Sequence, residues 1–161
     1  MPADVLAFAD EIAALLQGEF DAAGADAAVS REYEITFDVG TFTGLKVVVM
    51  PVEYAKPMQA DRAEDYYEAA AVVVVAERYT GGAARPPADW LDERVNLVER
   101  CVFDPLRRIG ANADDPRLLL DAYWCESAEV TTVYDAPFLR EQQAFWSETE
   151  LTFRKLRDAA S

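Results

Sequence analysis

Carboxylates are the only plentiful reactive groups in this chain. It holds 30 Asp and Glu against 15 Lys and Arg, and no histidine. Without histidine there is no Ser-His-Asp or Cys-His nucleophile and no histidine metal ligand, and the commonest general acid/base is missing. Two kinds of carboxylate chemistry remain to be sought. One is a hard-cation site. Asp61, Glu64, Asp65 and Glu68 recur at spacings that would put several of them on one helical face, a donor set suited to Ca2+ or Mg2+. They lack EF-hand spacing, the glycine of its sharp turn and a second converging cluster, so the residues favour a solvated acidic face. The other is paired-carboxylate hydrolysis. Glu148 and Glu150 lie two apart in an alternating segment, which puts them on one side of a strand about 7 Å apart. The same alternation predicts an outward polar face with no catalysis.

The remaining nucleophiles and loops add little chemistry. Cys101 and Cys125 each sit in an apolar pattern and read as free thiols of the interior. Gly81-Gly82 lacks the Lys-Ser/Thr that a phosphate-binding loop needs and reads as a turn. No catalytic, cofactor-binding or metal-ligating residue is assigned. No cofactor is expected, and the chain is expected not to be an enzyme.

Length and charge bound the rest. The 161 residues, 52% of them hydrophobic, predict one folded domain spanning residues 1–161. A formal net charge of -15 repels nucleic-acid phosphates and anionic membranes alike. The N-terminal segment carries acids where a signal peptide needs positive charge, and no apolar run approaches the roughly 18 residues of a membrane span. These features predict a soluble protein of a reducing compartment, with no membrane partner.

The elements that must position these residues follow from hydrophobic period. Val5, Phe8, Ile12 and Leu15 predict a helix over residues 3–16, with Gly18 as its stop. Residues 21–29 read as a linker. Tyr33, Ile35 and Phe37 alternate with polar residues and predict a strand over 33–37, followed by a hairpin loop over 38–44 and a strand over 45–52. Pro51 is expected near that strand's end or on a free edge. Residues 53–68 have no clear assignment. Residues 69–79 predict a strand buried on both faces, and 80–87 a break. A helix runs from Pro87 to Ile109, kinked at Asp104-Pro105 and ended by Gly110. Strands over 122–134 and 144–156 close the chain, joined by a connection over 135–140. The expected fold is α+β: a single mixed or mostly antiparallel sheet of about five strands with two main helices on one face.

The second half resembles the tail terminator and tail-completion proteins of long-tailed phages, which serve in head–tail joining. The resemblance rests on WLDERVNLVERCVFDPLRRIG (90–110), then Tyr134-Asp135 and Phe138-Leu139-Arg140, then the closing FWSETELTFR (145–154). It implies a structural virion protein of the tail or neck. Such a protein assembles with itself into a ring, commonly a hexamer, that caps the tail tube and joins it to the neck or connector. Its partners are then the tube protein, the connector protein and its own copies, and DNA passes without specific binding. Residues 53–68 depart from the family pattern. On this reading Asp61, Glu64, Asp65 and Glu68 are candidates for a lumen wall that repels phosphate. The loop residues Asp38, Gly40 and Phe42, together with Trp146, Glu148 and Glu150 of the closing strand, are candidates for an interface. Trp146, on a face otherwise charged, is the candidate anchor. Two other readings compete: an acidic DNA mimic that inhibits a DNA-binding enzyme, and a small carboxylate-based enzyme or ligand-binding module.

Overall fold

A computed structural model describes residues 2–38, 41–59, 65–82, 86–109 and 124–156. Helix α1 (Pro2–Ala22) buries Phe8, Ile12, Leu16 and Phe20, each with under 2% of its surface exposed. This i, i+4 row continues past Gly18, so the helix does not stop there as expected. A helical glycine costs about 1 kcal/mol against alanine, and the core slot filled by Phe20 outweighs it. The helix ends at Gly24 instead, whose φ of 74° is the left-handed cap that glycine adopts without strain.

Strand β1 (Ala27–Arg31) lies where a linker was expected. It pairs in parallel with Leu45–Val49 of β2 (Leu45–Gln59). Residues 33–37 form no strand, although their alternation predicted one. The backbone leaves the sheet after the Glu32 N–H donates to the Val49 carbonyl. Phe37 then packs on Phe42 with ring centroids 4.8 Å apart, so its apolar side is satisfied away from the sheet ladder. The parallel pairing also means that residues 32–44 are a crossover connection and not the expected hairpin loop.

The hairpin lies further on. Strand β2 and β3 (Asp65–Arg78) pair antiparallel from Leu45↔Glu77 to Gln59↔Asp65, with irregularities around Pro51, Glu53 and Lys56. Residues 53–59 and 65–68, which the sequence left unassigned, are therefore its far half. Pro51 falls just beyond the last β1 partner, on an edge where a missing N–H is tolerated.

The second helical layer is continuous. Helix α2 (Ala88–Val98) passes through a π-helical segment (Glu99–Phe103) into α3 (Asp104–Arg107). The kink expected at Asp104-Pro105 takes this form. Proline has no N–H for the α-helical ladder, and the wider turn just before it carries the Asp104 N–H to the Glu99 carbonyl.

Strand β4 (Trp124–Thr132) and β5 (Ala144–Leu156) complete the sheet. Between them the expected plain connection is a short helix, α4 (Ala136–Gln142). Asp135 caps it by accepting the Phe138 N–H at 3.0 Å, Pro137 opens its first turn, and Gln143 at φ 52° ends it. The strand order is β1-β2-β3-β5-β4, so the fold is α+β with one mixed sheet. Its main core joins α1 and α2–α3 to one sheet face through Phe8, Ile12, Val47, Val73, Val102, Leu106, Phe145 and Phe153.

Candidate functional site

Strand β5 is central, paired to β3 on one side and β4 on the other, and its alternation divides two surfaces. Phe145, Ser147, Thr149, Leu151 and Phe153 are buried on the helix side, as the sequence pattern predicted. Trp146, Glu148, Glu150 and Thr152 are on the opposite, outer face.

At one end of the outer face a small aromatic cluster forms. Phe42 (6% exposed), Ala76 and Ala144 are buried there, with Phe37, Phe138 and Trp146 packed against them. The Trp146 ring lies 5.1 Å from Phe138 and 6.3 Å from Phe37. Two interface candidates thus already have partners in their own chain. Phe42 is taken up by the fold and is not available to a neighbour. Trp146 is half-covered by residues of the crossover and α4. Asp38 is exposed, and its carbonyl accepts the Thr41 and Phe42 N–H groups. Gly40 lies outside the described residues.

Beyond the aromatic cluster the outer face is acidic. Glu150 stands directly opposite Glu129 of β4, both exposed, and Glu148 is two positions along β5. Like charges directly opposite each other destabilise a strand pair. On the β3 side the same two glutamates face Val72 and Val74. Arg154, further along the face, is paired with Glu126 at 3.4 Å.

The candidate lumen acids stand elsewhere. Asp61 and Glu64 lie outside the described residues. Asp65 and Glu68 are in strand and not helix, at register with Gln59 and with both Lys56 and Arg154. Three residues apart along a strand does not bring two positions to one face, so the helical-face premise fails for this pair. Among the described residues no group of acids or thiols is placed to hold a metal ion.

No local sequence pattern marks one feature of the helix side. An apolar groove of about 250 Å3 runs between the second helical layer and the β4–β5 pair, lined by Val95, Val98, Phe103, Val130 and Val133, with Glu99 and Ser147. The Ser147 hydroxyl is turned away from chemistry, donating to the Thr132 carbonyl at 2.9 Å. The groove's helical wall is anchored to β3 by Arg94. Its guanidinium donates to both carboxylate oxygens of Glu77, at 2.7 and 2.5 Å, and lies 5.1 Å over the Trp90 ring.

The two thiols are free and chemically quiet. Burial pushes the Cys101 thiol up, and Cys101 rests against the Glu19 carbonyl at 3.8 Å. Burial, with Glu126 adding to it, pushes the Cys125 thiol up to about 11. Neither is a thiolate near neutral pH.

No protein-family model matches the chain, and no curated protein is similar to it. No described helix is long and apolar enough to cross a membrane.

Proposed function

We propose that this chain is a structural virion protein of a long-tailed phage, assembling as a ring that caps the tail tube and joins it to the neck. One observation carries the reading. The β2–β3 arm continues to Gln59↔Asp65, while β1 covers β2 only from Leu45 to Val49. Among the described residues, nothing pairs with the outer edge of β2 beyond that point. Val52, on this stretch, is 52% exposed. A long, unprotected edge of this kind is what monomers avoid and assemblies cover. An arm on one copy meeting a different surface on the next is a heterologous contact, and such contacts form a ring where the rotation closes. The resemblance of residues 90–110, 134–135, 138–140 and 145–154 to tail terminators supports the same reading, since their described parts supply the second helical layer, α4 and β5. Asp61, Glu64, Asp65 and Glu68 are the proposed lumen wall, and the tube and connector proteins are the proposed partners.

The test is native mass measurement followed by electron microscopy of the protein mixed with tail tubes. A closed ring and capped tubes are expected, and Val52→Arg is expected to dissociate the ring while leaving the circular dichroism spectrum intact. A monomer or two-fold dimer at all concentrations, with tubes left uncapped, overturns the proposal.

A further inference from the structure

The free edge of β4, the acids beside it and the groove beneath it belong to one surface. Among the described residues β4 is the last strand of the sheet and pairs with β5 alone. On its other side the Cys125 N–H donates to the Ile109 carbonyl at 2.8 Å. From there to Thr132 no backbone hydrogen bond caps the edge among the described residues. On the helix side of this stretch lies the groove, floored by Val130 and walled by Val95, Val98 and Phe103. Val133 at its rim is 47% exposed. On the outer side stand Glu129, Glu148 and Glu150, and among the described residues no Lys or Arg is paired with them.

We propose that this edge binds an extended segment of a partner protein in which apolar residues alternate with Lys or Arg. A strand added to β4 makes main-chain hydrogen bonds to the open edge, and its side chains alternate between the two faces. One set enters the Val-lined groove. The other meets the carboxylates, relieving the repulsion between Glu129 and Glu150. Charge complementarity decides the occupant. A second copy has two edges to offer: β1, whose one cation Arg31 is already paired with Asp10 at 2.7 Å, and β2 beyond Val49, where Lys56 is offset by Glu53. Docking through either therefore brings no net positive charge to the acids, whereas a basic, alternating strand does. The arm edge and the β4 edge lie on opposite sides of the sheet, so the ring and the strand addition are tested by different substitutions.

The probe is a synthetic peptide of about six residues alternating valine and lysine, titrated into the intact protein at low salt. A valine–glutamate peptide and a block peptide of the same valine–lysine composition serve as comparisons. The alternating basic peptide is expected to bind and to protect the amides of residues 127–132 from hydrogen exchange. Glu129→Lys with Glu150→Lys is expected to weaken it by about tenfold or more, and Val98→Asp in the groove wall to weaken it comparably, with ring mass and circular dichroism unchanged by the charge variants. Equal binding of the block peptide, or binding without protection of 127–132, overturns the strand-addition geometry. Loss of the ring itself on Glu129→Lys with Glu150→Lys would mean that a second copy occupies the edge, and would overturn the choice of partner while leaving the ring reading intact.

Discussion

Arg94→Ala is the substitution whose cost follows most directly from the structure. Arg94 and Glu77 have side chains only 12% and 15% exposed, and they meet through both carboxylate oxygens. Removing one member of a buried pair strands the other charge and costs about 3–5 kcal/mol. The residual exposure lets water reach Glu77, which lowers that to about 2–3 kcal/mol. Loss of the stack on Trp90 adds about 0.5–1 kcal/mol. The expected total is about 3 kcal/mol, a fall in Tm of about 6–12 °C for a domain of this length. Glu77→Gln is milder, because a neutral acceptor remains and Glu93 still holds the guanidinium at 3.1 Å. Urea unfolding of both single variants and the double variant gives the coupling directly. Replacing the pair together, Arg94→Leu with Glu77→Leu, is expected to recover most of the loss, since the pair's desolvation is removed with it. An Arg94→Ala variant within 0.5 kcal/mol of the parent, a change of the size exposed surface substitutions make, would show that the pair is solvated in solution and that the groove wall is not anchored there.

Three further outcomes are expected. Glu150→Gln removes a like-charge opposition on adjacent strands and is expected to raise stability by about 0.5 kcal/mol, with a smaller gain in high salt; a stability loss refutes it. Asp135→Ala removes the cap on α4 and is expected to cost about 1 kcal/mol and to shift Trp146 fluorescence to the red as Phe138 loosens. For Cys125, the unfolded thiol ionises near 9 while the folded one holds its proton to about 11. Stability is therefore expected to fall as pH rises from 9 towards 11. Native labelling with iodoacetamide at pH 8 is expected to be about a hundredfold slower than after unfolding, and equal rates would contradict the burial.

Hydrophobic period was enough for the elements whose packing is one-sided. The β5 alternation fixes its buried and outer faces, and the Val98–Val102–Leu106–Ile109 progression fixes the second helical layer, because each follows from a single buried face. Where packing is non-local the period misled. Residues 33–37 alternate like a strand but serve an aromatic cluster on the outer face, whereas Ala27–Arg31, poor in strand formers, gains its place from parallel pairing with β2. The residue types of Asp135-Ala136-Pro137 suit a helix start, which the expected plain connection over 135–140 leaves out. The site was less legible. Glu148 and Glu150 could be put on one face, but Glu129 joins them through strand register, which no single segment encodes. The groove arises where three separate segments fail to close on one another, so no local pattern marks it.

On the proposed readings the acidity of this chain divides into two places that ask different things of a neighbour. At a net charge of -15, self-repulsion works against the compact state, and the sheet sharpens it by setting Glu129 against Glu150. Asp65 and Glu68 belong to the far half of the β2–β3 arm. Glu68 is four positions from Val72, the register partner of Glu150, a separation of about 13 Å along the strand. That exceeds a Debye length at physiological salt, so salt screens the two groups from one another. Acids that line a passage for DNA work by repulsion and need no partner of opposite sign. Acids beside an open strand edge and an apolar groove are poised for attraction, and the strain of their opposition is relieved only when a cation arrives. Salt separates the two proposed roles: it is expected to weaken peptide binding at the β4 edge, whereas an arm that lines a DNA passage is expected to show DNA no affinity for salt to weaken.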